Sequence, residues 1–229
     1  MKKLKRYMLP FLSALGIFGS VQAQDWANLK EFQEANAAIA THAIDENRVV
    51  FMGNSITIGW INSRPDFFEG KPWVNRGISG QTTPQMLLRF RQDVIDLQPK
   101  VVIILAGTND IAGNTGPSTL EMIVDNFKSM VELAQINHIK VIISSVLPAY
   151  NYSWKPDLRP AEKIIELNTM LKTYAEENGH IYLDYFSAMV DDRNGLPKKY
   201  AADGVHPTLE GYTVMEPLVE SAITEALKK

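Results

Sequence analysis

The feature that most constrains the fold is an alternation of short apolar runs with longer amphipathic stretches along the 229 residues. The runs are rich in β-branched residues and predict strands, whereas the stretches between them carry apolar residues at helical spacing. The predicted strands are residues 48–52, 73–75, 101–106, 140–146 and 181–184. The predicted helices are residues 26–44, 85–97, 120–136, 161–177 and 209–227. Strands that alternate with helices pair in parallel through right-handed crossovers, which predicts an α/β fold built as a three-layer α/β/α sandwich.

The first 23 residues have the pattern of a secretory signal peptide. Residues 1–6 include four cations, residues 8–21 are almost wholly apolar or small, and Val21-Gln22-Ala23 offers a small-x-small cleavage site. The alternative is a buried N-terminal helix. We expect a signal peptide at residues 1–23 and a single domain at residues 24–229. Such a protein is periplasmic or secreted and has no stable membrane insertion after cleavage.

Composition narrows the classes of protein further. The chain has no cysteine, which excludes disulfides and a lipid-anchored cysteine at the cleavage site. The formal net charge is −3, so the chain has no basic surplus and nucleic acid is not an expected partner. The mature domain must be stabilised by its core alone.

Parallel topology indicates where chemistry takes place, because ligands of such sheets bind beyond the carboxyl ends of the strands. The first predicted strand ends in Gly53-Asn54-Ser55. A buried strand that breaks at glycine and at once presents a serine is how α/β enzymes expose a nucleophile. The alternative is a turn whose serine only caps the next helix.

A serine nucleophile needs a base, and the sequence contains four histidines. His42 falls in the first predicted helix, whereas His138 and His180 each precede a strand and belong to the opposite edge of the sheet. His206 follows the last strand and immediately precedes the final helix, so elimination selects it as the base. Asp203, three residues earlier, can accept from the other ring nitrogen and stabilise the imidazolium.

Acyl transfer also needs donors for the oxyanion of the tetrahedral intermediate. Asn109, in the Gly-Thr-Asn-Asp stretch after the third strand, can aim its side-chain amide into the same cleft. Gly80 follows the second strand, and its lack of a Cβ would let a backbone N–H approach the substrate. Each segment alone is also compatible with a structural turn.

Together and in this order, these blocks resemble the SGNH (GDSL-type) hydrolase family. The matching blocks are Gly53-Asn54-Ser55, Gly80, Gly107-Thr108-Asn109-Asp110 and Asp203-Gly204-Val205-His206-Pro207. The stretch at residues 75–80 and Leu147-Pro148 are most similar to the branch of platelet-activating-factor acetylhydrolase subunits and bacterial acetylesterases. The first block departs from the family pattern at Asn54, where an Asp is usual.

The resemblance implies a flavodoxin-like sheet of five parallel strands in the order 2-1-3-4-5 and no metal or organic cofactor. It implies that Ser55 is the nucleophile, that His206 acts as base and then acid, and that Asp203 orients His206. The oxyanion hole would comprise the N–H groups of Ser55 and Gly80 and the amide of Asn109.

Aromatic residues that follow the strands indicate what sets specificity. We expect Trp60, Tyr152 and Trp154 at the mouth of the cleft, where rings can stack on a sugar or wall an acyl pocket; the alternative for each is packing within the domain. No long apolar insertion resembles a lid, which favours short acyl groups, acetyl above all, on carbohydrate. The alternatives are a lysophospholipase or thioesterase of the same mechanism, acyl transfer to a sugar acceptor, and a non-catalytic glycan-binding module.

Overall fold

The computed structural model describes residues 24–40 and 47–228 and has a five-stranded parallel sheet at its centre. The strands are β1 (Val49–Gly53), β2 (Trp73–Gly77), β3 (Val101–Leu105), β4 (Lys140–Ser144) and β5 (Ile181–Leu183). Their order is β2-β1-β3-β4-β5, as predicted. The register sets Gly53 level with Gly77 and Leu105, so three strands end together and the segments that follow them meet.

Side chains of the strands alternate between two cores. In β1, Val50 and Met52 face one core, and Val49 and Phe51 face the other. All four are almost fully buried. A parallel sheet covered by helices on both faces requires this two-sided burial, and the predicted three-layer sandwich is confirmed.

Helices cover both faces of the sheet. They are α1 (Gln33–Ala40), α2 (Ser55–Ser63), α3 (Pro65–Phe68), α4 (Thr83–Asp93), α5 (Thr108–Ile111), α6 (Leu120–Ile136), α7 (Ala161–Glu177), α8 (Tyr185–Met189) and α9 (Leu209–Lys228). Helices α4, α6 and α7 pack on one face, and α2, α8 and α9 pack on the other. The bounds of α6 and α7 match the prediction, and α9 differs from it by one residue at its end.

The first helix is shorter than the predicted stretch of residues 26–44. The carboxylate of Asp25 accepts from the N–H groups of Leu29 and Lys30, at 2.8 and 3.0 Å, which holds the chain there in turns. Asn28 takes a left-handed conformation, with φ of 54°, and ends any regular helix at that point. Residues 41–44 of the predicted helix lie outside the described residues.

The short helices α2, α3, α5 and α8 were not predicted, because four to nine residues span too few turns to show a helical period. Three of them, α2, α5 and α8, begin within three residues of a strand's end. They therefore fix the direction of the side chains at the carboxyl edge of the sheet.

Two predictions fall on residues that the structure does not describe, namely the signal peptide at residues 1–23 and the position of His42. Across residues 24–40 and 47–228, every helix is too short or too polar to cross a membrane.

Candidate active site

The segment after β1 presents Ser55 at the carboxyl edge of the sheet. Asn54 is the N-cap of α2, and its side-chain oxygen accepts from the Ile56 N–H at 3.0 Å. Ser55 is the first residue of the helix, so its N–H has no acceptor within the helix. The alternative in which Ser55 caps the helix is therefore wrong. The Asp that is usual at position 54 in the family would cap the helix with a carboxylate oxygen. Asn54 caps it equally well with its amide oxygen, because a cap needs only an oxygen acceptor.

β2 approaches this turn so closely that only glycine fits at position 77. A Cβ on Gly77 would lie 2.3 Å from the backbone nitrogen of Ile58 and 2.9 Å from the carbonyl oxygen of Asn54. Two residues earlier, the amide of Asn75 donates to the carbonyl of Thr57 at 2.7 Å. Strand β2 thus packs directly against the first turn of α2 and holds it in position.

Ser55, His206 and Asp203 form a continuous chain of hydrogen bonds. Nε2 of His206 lies 2.9 Å from Oγ of Ser55, and Nδ1 lies 2.7 Å from Oδ2 of Asp203. The other oxygen of Asp203 accepts from the backbone N–H groups of Val205 and His206, at 2.9 and 2.8 Å. The carboxylate therefore fixes both the ring and the backbone of the histidine.

The environment of Asp203 keeps it ionised. Partial burial by itself favours the neutral acid, but the hydrogen bonds from the His206 ring and from two backbone N–H groups outweigh it. The pKa of the Asp203 carboxyl consequently lies below its usual value. An ionised carboxylate can only accept, so Nδ1 of His206 carries the proton and Nε2 is left to accept from the Ser55 hydroxyl.

Helix α9 holds this histidine against the serine. Three residues into α9, the hydroxyl of Tyr212 donates to the carbonyl of Ile56 at 2.8 Å. Ile56 is the second residue of α2, and Tyr212 is almost fully buried. The hydrogen bond ties the helix that follows His206 to the helix that begins with Ser55.

Two backbone N–H groups, one after β1 and one after β2, have no acceptor among the described residues. Gly80 has φ of +76°, a conformation that L side chains rarely adopt, and nothing lies within 4 Å of where its Cβ would be. Within the described part of the chain, no protein acceptor is found for its N–H. Gly80 therefore lies beside open space, and its backbone N–H has no protein acceptor. The backbone N–H of Ser55, at the start of α2, likewise has none.

The amide of Asn109 is oriented by two contacts. Its Nδ2 donates to the carbonyl of Gln81 at 2.9 Å, and its Oδ1 accepts from Nδ2 of Asn114 at 3.1 Å. Nδ2 of Asn114 also lies 3.3 Å from the carbonyl oxygen of Gly80. These contacts fix which end of the Asn109 amide is the nitrogen and leave one of its N–H groups for a ligand. Asn114 was missed in the sequence, where it resembles an ordinary loop asparagine beside Gly113.

Arg89 was also missed, and it connects the segments of the site from within the core. Its guanidinium donates to the carbonyl of Gly53 at 3.0 Å, to Oε1 of Gln81 at 2.6 Å and to the carboxylate of Asp93 at 3.0 Å. The side chains of Arg89 and Asp93 are both fully buried. A signal was available, since Arg89 and Asp93 stand four residues apart, on the same side of α4 as the apolar Met86.

Asp110, directly after Asn109, joins α5 to the start of α4. Its Oδ1 accepts from the N–H and the hydroxyl of Thr83, at 2.9 and 2.6 Å. Burial raises the pKa of the Asp110 carboxyl, against the opposing effect of the hydrogen bonds from Thr83. The contact sets α5, and with it Asn109, relative to the segment that contains Gln81.

The prediction for two of the three aromatic residues is wrong. Trp60 is 2% exposed and stacks between Phe67 and Tyr212, with centroid distances of 5.3 and 5.5 Å. It lies on the side of α2 that packs on the sheet, so it cannot meet a ligand. Tyr152 is fully buried and stacks at 4.9 Å under Trp154, which it supports.

Trp154 does reach the cleft. Its ring is 40% exposed, and its centroid lies 6.5 Å from that of His206. The ring therefore forms one wall beside the Ser55–His206 pair. His138 and His180 line a different cavity, at the amino-terminal ends of β4 and β5, which agrees with their exclusion as the base.

The fold and the site define a three-layer α/β/α protein with a hydrogen-bonded serine, histidine and aspartate at the carboxyl edge of its sheet. The sequence profile of the GDSL-like lipase/acylhydrolase family matches residues 51–214. The chain belongs to this family, and the predicted family is confirmed.

Solved structures of this fold include relatives at high identity. One is a candidate acylhydrolase from Bacteroides fragilis, 50% identical, with a TM-score of 0.86 over 89% of this chain and 99% of the other. Another is a GDSL-like lipase from Bacteroides thetaiotaomicron, 48% identical, with a TM-score of 0.84 over 87% of this chain and 98% of the other.

Curated relatives are more distant. An acetylxylan esterase of Xylanibacter ruminicola is 27% identical over 218 residues, which is 78% of this chain and 43% of the esterase. An uncharacterised lipoprotein of Bacillus subtilis is 32% identical over 117 residues, 44% of this chain and 48% of the lipoprotein. The chain thus spans less than half the length of both of these relatives.

Proposed function

We propose that the chain is an exported serine esterase that removes short acyl groups, chiefly acetyl, from carbohydrates. The observation that carries this proposal is the unbroken hydrogen-bond chain from Asp203 through His206 to Ser55, with free donors beside the serine. A protein that only binds glycans would need neither the chain nor the donors.

The proposed reaction is a double displacement in two half-reactions. Ser55 Oγ attacks the ester carbonyl while Nε2 of His206 takes its proton, and the resulting oxyanion accepts from the N–H groups of Ser55 and Gly80 and from the amide of Asn109. When the tetrahedral intermediate collapses, the bond to the alcohol breaks and His206 returns the proton to the leaving oxygen. Water then attacks the acyl-enzyme with His206 again as base, which releases the acid and restores the serine.

Two observations support a short acyl group and a sugar. The exposed ring of Trp154 stands on the His206 side of the cleft, where the leaving alcohol has to lie for His206 to protonate it, so the ring is placed to stack on a sugar. The curated relative from Xylanibacter ruminicola is named an acetylxylan esterase. The proposal that the protein is exported depends on the signal-peptide pattern of residues 1–23. The proposed mature enzyme is the single domain at residues 24–229.

The test is hydrolysis of p-nitrophenyl esters from acetate to decanoate by the wild type, Ser55→Ala and the control Ser129→Ala. The hydroxyl of Ser129 bonds only to its own helix, at the carbonyl of Asp125, so the control should match the wild type. We expect rates that fall steeply beyond butyrate and a loss on the order of 10⁶-fold in Ser55→Ala. Equal rates in Ser55→Ala and wild type would refute the mechanism, and rates that rise with chain length would favour a lysophospholipase.

Acyl transfer uses the same first half-reaction and differs only in the acceptor. Product analysis with a sugar acceptor in the mixture separates the two, because hydrolysis yields free acetate and transfer yields a new sugar ester. We expect acetate as the main product.

A further inference from the structure

A polar groove lies beside the proposed oxyanion hole, with Gly80 in its lining. Its volume is about 560 Å³. Its lining comes from the N-terminal segment (residues 24–26 and 28), from residues 79–81 with Gln85, from residues 113–115 and from Lys155. We refer to this cavity as the polar groove.

The polar groove is continuous with the place where the ester carbonyl would lie. Gly80 belongs to both, and Asn114, which lines the groove, also contacts the amide of Asn109. A substrate whose carbonyl oxygen meets the Gly80 N–H therefore has the groove open beside it. The larger group attached to the ester must then either lie in this groove or extend into solvent.

The lining suits a polyhydroxylated ring better than an acyl chain. Its side chains are mainly amides and hydroxyls, together with the carboxylate of Asp25 and the ammonium group of Lys155. The exception is Trp26, whose large aromatic side chain is 43% exposed. A sugar can lay its apolar face on an indole and direct its hydroxyls to amides, whereas an alkyl chain would leave those polar groups without water or partners.

Trp26 is held in place although its ring is exposed. The amide of Gln85 donates to the Trp26 carbonyl at 2.6 Å, and that of Gln81 donates to the Ala27 carbonyl at 2.8 Å. The next side chain, Ala27, is 3% exposed and anchors the segment. The backbone that carries the ring is thereby fixed, which limits the positions that the indole can take beside the groove.

We propose that the polar groove is a sugar-binding subsite and that Trp26 is its stacking platform. The subsite would hold the sugar that carries the ester or its neighbour in the chain, and it would thereby select glycans over simple alkyl esters. This inference rests on the proposed esterase function and adds to it the place and the residue that recognise the carbohydrate.

The test compares Trp26→Ala, Trp26→Phe and the control Leu29→Ala on two substrates. Leu29 is an exposed apolar residue of the same segment that does not line the groove. The substrates are p-nitrophenyl acetate, which has no sugar, and a panel of acetylated xylo-, manno- and gluco-oligosaccharides. We expect Trp26→Ala to lower kcat/KM about 3–10-fold on the preferred oligosaccharide, mainly through KM, because a stacking contact is lost. Trp26→Phe should recover most of this loss, and all variants should match the wild type on p-nitrophenyl acetate.

The outcomes separate the subsite from the esterase. If Trp26→Ala acts on the oligosaccharide as the wild type does, or loses the same factor on both substrates, the subsite is refuted while the esterase stands. Calorimetric titration of Ser55→Ala with the same panel reports binding without turnover. Binding that weakens in the Ser55→Ala/Trp26→Ala double variant supports the subsite even if the wild type cleaves none of the panel. Absence of binding by Ser55→Ala to every member of the panel overturns it.

Discussion

Replacing Asp93 by Asn should destabilise the protein strongly, because it leaves a buried guanidinium without its counter-charge. Both side chains of the Arg89–Asp93 pair have 0% exposure, and burial lowers the pKa of Arg89 against the opposing effect of Asp93. The pair is also linked to Asn36, whose amide donates to Asp93 at 2.7 Å. Because water does not reach either side chain, solvent cannot stabilise the Arg89 guanidinium once the Asp93 carboxylate is removed.

Breaking a buried pair by removing one partner costs about 3–5 kcal/mol in the free energy of unfolding. That is a large share of the roughly 5–15 kcal/mol by which domains are stable. With a denaturant slope of about 2–3 kcal/mol per molar urea, the midpoint of unfolding should fall by about 1–2.5 M. The assay is urea unfolding followed by tryptophan fluorescence.

The double variant Arg89→Met/Asp93→Leu provides the matched comparison. It removes both charges and keeps apolar volume, at the cost of one hydrogen-bond partner each for the carbonyl of Gly53 and for the amides of Gln81, Asn36 and Gln92. We expect the double variant to be more stable than Asp93→Asn. A midpoint for Asp93→Asn within about 0.3 M of wild type, less than 1 kcal/mol at that slope, would refute the reasoning.

Three further predictions concern the candidate site. Asn109→Ala should lower kcat/KM on p-nitrophenyl acetate by about 10²–10³ as a lost oxyanion donor, and Asn114→Ala by about 3–10-fold as a lost positioning contact; an equal loss in both would contradict the assigned roles. Because the native pKa of Asp110 is raised, the native state binds more protons in the window above the usual carboxyl range, and stability falls there as pH rises. Asp110→Asn should flatten that fall in urea unfolding measured across pH, and an unchanged slope would exclude Asp110 as its source. Gly77→Ala should cost about 1–3 kcal/mol in the free energy of unfolding, since its Cβ would meet backbone, and an unchanged midpoint would show that β2 can move away from α2.

The sequence predicts those parts of the fold that periodicity controls. The bounds of α6 and α7 follow from long amphipathic repeats, and the strand order agrees with the family resemblance. His206 could be selected because parallel topology places His138 and His180 at the opposite edge of the sheet, whereas His42 lies outside the described residues. Each of these inferences needs only local pattern and the direction of the strands.

The rest depends on side-chain direction, which a linear pattern does not contain. Trp60 and Trp154 both follow strand ends, yet the first points into the core and the second into the cleft. The docking of residues 24–28 along the groove depends on Gln81 and Gln85, more than fifty residues away in the chain. Such long-range contacts between polar side chains and backbone leave no periodic signal.

The hydrogen bond between Tyr212 and the Ile56 carbonyl has a consequence for when the enzyme becomes active. Ser55 and the proposed oxyanion donors all lie in the first half of the chain, whereas His206 lies 151 residues after the serine. A chain emerging from the ribosome therefore carries a complete nucleophile turn long before its base exists. On the proposed mechanism, hydrolysis needs His206 beside Ser55 and therefore α9 packed on α2. If the proposed export takes place before folding, the polypeptide is inactive towards the esters of the cell that makes it.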